Sequence, residues 1–255
     1  MIKFSPPQKS LKRECLHYRD DRKIFIACDD TYAPKQYFEH VELPRVGLIL
    51  IETPKAKTDS YITYVLDRLI NAAKDFVEER DELWLVLDTD HCIKGSHLKS
   101  FTEGLCRARQ CRVNVAFSRP CFEFWLALYH ADASRLVDCT NAKAICQRLD
   151  VLVGDFRGNK TGYDKGNVQD YDYPDTLLPI AYARAKNRDG EVTGGDIPQE
   201  QTTRVYKIWE SLMRTLRRDL VPERYLGIFD TIFGGRELPP MPMQQHAVGA
   251  TAAPH

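Results

Sequence analysis

The run LWLVLDTDH at residues 83–91 drives a strand-forming apolar segment into Asp88 and then Asp90. An earlier run, KIFIAC at residues 23–28, stops at the doublet Asp29-Asp30. Side chains two residues apart leave the same face of an extended chain, so Asp88 and Asp90 can reach one cation or flank two. Strands of a parallel sheet open their C-terminal ends on one edge, where ligands bind. Were these two strands neighbours, three or four carboxylates would meet at one spot. Carboxylates that close repel unless a cation lies between them, and hard oxygen donors of this kind select Mg2+ or Mn2+. The spacing leaves a second reading open, in which one aspartate caps the following helix and the others are solvated loop charges.

Periodicity supplies the elements that must position these acids. Strands are expected at 23–28, 46–52 (VGLILIE), 83–88 and 111–118 (CRVNVAFS). Between them lie helical patterns: PKQYFEHVE, opened by Pro34 in its first turn, a long helix over 60–80 capped by Asp59 or Ser60, and a third over 94–109. The alternation of strand and helix is that of an α/β fold with a parallel sheet, because parallel neighbours need a crossover rather than a tight turn. After it the chain reads as mostly helical, through PCFEFWLALYH, DCTNAKAICQRLD, TLLPIAYARAKN and an amphipathic helix over 202–220. Four parts are expected: a flexible basic lead-in at 1–21, the α/β core at 22–130, a helical part packed on it at 131–236, and a disordered tail at 237–255.

Composition excludes several classes. With 36 Lys plus Arg against 36 Asp plus Glu the total charge argues for no nucleic-acid or membrane partner, although a local basic patch remains compatible with it. No window holds the ~18 apolar residues that a membrane span needs, and the first residues carry no apolar export signal. Eight cysteines without a CxxC pair read as reduced thiols of a cytoplasmic protein, used as small core residues, and not as a zinc site or a disulfide framework. Nothing in the sequence sets an oligomeric state.

Other residues could serve the same site. Glu123 lies among Phe122, Phe124, Trp125 and Leu126, so its charge needs a metal, a base such as Arg119, or the helix N-terminal amides after Pro120. His91, next to the Asp-x-Asp, could orient water or phosphate. Tyr163 and Lys165 sit with Arg157 and Lys160 in the glycine-bounded loop DFRGNKTGYDKGN. That loop lacks P-loop spacing, but its basic and aromatic mix could contact a nucleic-acid backbone. Tyr129 and His130 read as packing residues at a helix end.

Taken together, IFIACDD followed by QYFE, then LVLDTDH, FSRPCFEFWLALYH, GYDKG, AYARAK and TTRVYKIWESL resemble the RloB family of bacterial proteins, over roughly 23–216. The resemblance implies a Toprim-like core with a metal site at Asp29, Asp88 and Asp90, and Glu123 as a fourth catalytic member. His91, Arg119, Tyr163 and Lys165 are then candidate substrate contacts. It further implies a Mg2+-dependent nuclease (Mn2+ as substitute), an effector of an anti-phage abortive-infection system that cuts RNA, tRNA in particular, or DNA, beside an ABC- or AAA-type ATPase. The chain departs from the family where Glu-Gly after the first strand reads Asp29-Asp30. Asp is one methylene shorter, at a kind of site tolerant of only about half an ångström, and the lost glycine removes backbone freedom beside a phosphate. A module that binds nucleic acid or a protein without cleaving is therefore the alternative.

Overall fold

The computed structural model describes residues 21–30, 32–54, 61–90, 97–158, 161–193, 195 and 197–234. In chain order they form β1 (Arg22–Cys28), α1 (Ala33–Glu39), β2 (Val46–Ile51), α2 (Ile62–Ala72), β3 (Glu82–Asp88), α3 (His97–Gln110) and β4 (Asn114–Arg119). There follow α4 (Glu123–His130), α5 (Ala142–Arg157), α6 (Leu178–Glu191), β5 (Thr202–Thr203), α7 (Tyr206–Arg214) and α8 (Glu223–Phe233). The sheet runs β2-β1-β3-β4-β5, with the first four strands parallel and β5 antiparallel at the edge. The α/β expectation holds, and β1 and β3 are direct neighbours, with Cys28 level with Val86. The expected lead-in, apart from Asp21, and the expected tail lie outside the described residues, as do Asp59 and Ser60.

Alternate residues of each central strand feed two cores, as a sheet covered on both faces requires. Phe25, Ala27, Leu83, Leu85 and Leu87 meet Val65, Leu66 and Leu69 of α2 and Phe101 and Leu105 of α3. The two helices approach closely where Gly104 leaves no room beside Ile62 for a Cβ. On the other face Ile24, Ile26, Trp84 and Val86 pack on α4. All eight residues of α4 are buried, so the later helices must wrap around it.

The strand bottoms are clamped by one arginine. Arg22, buried in β1, donates to the Arg80 carbonyl (3.0 Å), the Ser211 carbonyl (2.7 Å), the Ser211 hydroxyl (2.8 Å) and the Glu82 carboxylate. Glu82 also receives the Trp84 indole N–H at 2.8 Å and pairs with Arg214, which ties α7 to the sheet.

Two expected helices are corrected, one helix is new and one strand is shortened. The one foreseen over 60–80 ends at Ala72, because the Asp81 carboxylate captures the amides of Val77 (2.9 Å) and Lys23 (2.8 Å) and turns the chain toward β3. The one foreseen over 202–220 is three pieces. The β-branched Thr202 and Thr203 pair with Arg119 and Ser118 as β5. α7 starts at Tyr206 and stops at Arg214, and a 3-10 turn at Arg218–Leu220 follows, held by the Arg218–Asp230 ion pair at 2.8 Å. α8 was not foreseen at all, although Tyr225 and Ile228 bury its inner face. The strand foreseen from residue 111 begins at Asn114, since Arg112 takes a left-handed φ of 54° and Val113 N–H closes α3 on the Ala108 carbonyl.

His130, at the end of α4, lies against Phe156 (4.9 Å between ring centroids) and Tyr173 (5.8 Å). Burial, with Arg184 adding, pushes its pKa from 6.5 down to about 4 against the opposing pull of Asp172. A depressed histidine stabilises the fold above its unfolded pKa, and that contribution is lost as pH falls through the folded value. Urea denaturation is expected to show about 2 kcal/mol less stability near pH 5 than near pH 7 from this residue. The His130→Asn variant should lack that part of the slope, and an identical slope in both proteins would refute the assignment.

Candidate metal centre

At the C-terminal edge, β1 continues its ladder for one residue, with Asp29 N–H on the Val86 carbonyl at 3.2 Å. The Asp29 side chain then substitutes for the next carbonyl: its Oδ2 accepts the Asp88 N–H at 2.8 Å. The end of β3 is fixed on its other side, where Thr89 N–H reaches the Ser118 carbonyl (3.0 Å) and Asp90 N–H the Pro120 carbonyl (3.2 Å). Asp30 folds back, its Oδ1 accepting the Tyr32 N–H at 2.8 Å. Glu123 opens α4 and is fully buried, with the N-terminal end of the helix favouring its charge.

These placements bring Asp30, Asp88 and Glu123 together, one ligand oxygen from each lying within 4.8 Å of the others. This three-carboxylate group could hold a metal ion. At an effective dielectric near 20, each pair repels by roughly 3 kcal/mol at 4.8 Å. Burial and crowding shift Asp88 and Asp29 away from their ordinary pKa values. Burial, followed by Asp29, Glu123, Asp30 and Asp90, raises the Asp88 pKa well above the carboxylate range. Asp29 is pushed up to about 8 by burial, with Asp30 and Asp90 adding and the Asp88 amide opposing. Asp29 Oδ1 and Glu123 Oε2 are buried without a hydrogen-bond partner among the described residues. Orphaned carboxylate oxygens in an acid-rich edge match the donor set of a hard divalent cation.

One cation is already present. Lys165 Nζ lies 2.6 Å from Asp30 Oδ2 and 3.2 Å from Glu123 Oε1, and the Tyr163 hydroxyl donates to the same Glu123 oxygen at 3.0 Å. Burial raises Glu123, but Lys165 and the hydrogen bonds from Cys121 and Tyr163 outweigh it and leave the carboxyl below its usual value. Burial likewise opposes the Lys165 ammonium, yet Glu123 and Asp30 lift its pKa above that of ordinary lysine. The loop is held to α1 by Gln36, which accepts the Val168 N–H (2.6 Å) and donates to the Gly166 carbonyl (3.2 Å).

The expected ligands therefore redistribute. Asp88 and Glu123 are in the cluster, Asp29 supports Asp88 from behind, and half-buried Asp90 sits beside the group rather than in it. Asp30 takes the β1 position; the doublet was the signal for it. Of the expected substrate contacts, Tyr163 and Lys165 turn inward onto Glu123. Arg119 donates to the Pro198 carbonyl at 2.7 Å. His91 lies outside the described residues. Arg157, from the same loop region, is bound to Asp172 and to the Gly162 carbonyl at 3.2 Å.

No helix among the described residues is long and apolar enough to cross a membrane. No curated protein and no solved structure matches the chain. A family model described as RloB-like protein matches residues 24–212, a span that runs from β1 through the acidic cluster and Lys165 to α7. The chain belongs to the RloB-like protein family.

Proposed function

We propose that the chain is a Mg2+-dependent nuclease of Toprim type, the effector of an anti-phage abortive-infection system controlled by a partner ATPase, with RNA, tRNA in particular, preferred to DNA. The observation that carries the catalytic part is the group Asp30, Asp88 and Glu123 within 4.8 Å at the sheet edge, with buried oxygens left over. The defence setting and the ATPase rest on the family resemblance alone.

Asp30, Asp88 and Glu123 would hold the cation. When bound, Mg2+ or Mn2+ polarises a phosphodiester and lowers the pKa of water. Asp29 fixes the Asp88 backbone, so the ligand carboxylate starts from a rigid strand end. Tyr163 orients Glu123 through its hydroxyl. Lys165, within 3.2 Å of a ligand carboxylate, would meet a phosphate oxygen at the centre.

The same lysine favours a second reading. An ammonium touching two of the three carboxylates can serve as the resident cation of a module that binds nucleic acid or a protein without cleaving. Calorimetric titration of MgCl2 and MnCl2 into the wild-type chain and Lys165→Met, with tRNA, single-stranded RNA and DNA cleavage scored alongside, separates the two. Saturable binding and cation-dependent cleavage by the wild type support the nuclease. Binding by Lys165→Met alone, with no cleavage by the wild type, supports the non-cleaving module.

A further inference from the structure

Away from the acidic edge, a cavity of about 330 Å³ opens between α1, α4, the 168–175 segment, α7 and the start of α8. That volume lies at the small end of ligand pockets. Its walls are Tyr37, Tyr129, Tyr171, Tyr173, Trp209 and Tyr225. The rings stand at steep angles to one another: Tyr37 against Tyr129 at 73°, Tyr129 against Tyr173 at 78°, Trp209 against Tyr225 at 50°. Inclined rings make a box for a compact group, whereas a flat base calls for a slot between parallel faces. Tyr173 is 6% exposed, and its hydroxyl has no hydrogen-bond partner among the described residues.

The charge of the lining decides the ligand class. The cavity's charged and titratable lining is Asp170, Asp175, Arg224 and His40. That arginine is engaged, at 2.8 Å from Asp175 and with its guanidinium 4.7 Å from the centre of the Tyr225 ring. Burial, with Asp170 adding, holds the Asp175 carboxyl above its ordinary pKa against the opposing pull of Arg224. An anionic ligand such as a nucleotide would set phosphate against these acids. A cation would gain from both the acids and the faces of the rings. The fold already uses that pairing at the cavity's edge, where the Arg157 guanidinium lies 5.3 Å from the centre of the Tyr171 ring.

We propose that this cavity is a binding site for an organic cation, an alkylammonium or guanidinium head group, boxed by the tyrosines and Trp209 and neutralised by Asp170 and Asp175. None of Asp30, Asp88 and Glu123 lines the cavity, and its ligand does not depend on the nuclease reading.

Choline and argininamide, titrated into the full chain and followed by calorimetry and by tryptophan fluorescence, test it. 3,3-Dimethylbutanol serves as the uncharged isostere of choline, and adenosine and AMP as the flat and anionic alternatives. At least one cation is expected to saturate with Kd below about 1 mM. Asp170→Asn and Tyr171→Ala alter exposed side chains that the fold does not depend on, and each should weaken binding about five- to tenfold. Asp88→Ala should bind the cation as the wild type does. The proposal is overturned if neither cation saturates below about 10 mM, if the isostere or a nucleoside binds as tightly, or if both cavity variants bind like the wild type.

Discussion

If the chain is the proposed nuclease, Asp88→Ala is expected to eliminate divalent-cation binding and to lower cation-dependent phosphodiester cleavage by about a thousandfold. The magnitude follows from the role: a cation at a phosphoryl group supplies several kcal/mol of charge stabilisation, and about 4 kcal/mol corresponds to three decades of rate. Asp88 is central because it is one of three carboxylates with ligand oxygens within 4.8 Å of one another, and the other two are already engaged by Lys165. The substitution should not unfold the chain. Its backbone N–H keeps the bond to Asp29, and the carboxyl it removes is one whose pKa is already forced well above normal. Thermal melts without divalent cation should therefore place the variant at or above the wild type. A variant that melts normally and still cuts at the wild-type rate would remove Asp88 from the mechanism. Asp29→Ala provides the contrast, since it takes away the acceptor of the Asp88 amide and should impair both the fold and the site.

The largest effect on stability is expected at Arg22. Arg22→Met strips four hydrogen bonds from one buried side chain, to Arg80, Glu82 and both the carbonyl and the hydroxyl of Ser211. Removing one partner of a buried ion pair typically costs 3–5 kcal/mol. Glu82 retains Trp84, Ser211 and Arg214, so the loss should fall at the lower end, about 3 kcal/mol. Urea denaturation of Arg22→Met, Glu82→Gln and the double variant gives the coupling between them. Additive losses would mean that Arg22 acts through Arg80, Ser211 and packing rather than through its pair with Glu82.

The parallel core was legible because continuous apolar runs and helical spacing are local signals. KIFIAC and LWLVLD announce buried strands without any knowledge of their neighbours. The acids at their ends were legible too, but their division of labour was not. Whether Asp29 or Asp30 faces the cluster depends on how far β1 keeps its register, and one extra ladder bond turns Asp29 toward the Asp88 amide instead of the centre. Lys165 entering between Asp30 and Glu123 is likewise a tertiary event, set by Gln36 holding a loop 130 residues away. The misjudged helices share a cause. Asp81, Thr202 and Thr203 take partners far along the chain, and those bonds override helical periodicity at 73–80 and 202–205. α8 was missed because YLGIFDTIF carries its apolar residues beside glycine and aspartate, with only Tyr225 and Ile228 fully committed to the core.

The hydrogen bond from Trp209 to Tyr37 closes a loop of 172 residues, and that from Arg22 to Ser211 one of 189. A chain emerging from the ribosome therefore makes Asp29 and Asp88 long before it makes the helices that seal α4. Contacts of such sequence separation delay assembly, so the acidic edge acquires its final geometry only after Trp209 and Ser211 have been made. Translation itself thus sets a time before which the growing polypeptide cannot carry a complete centre.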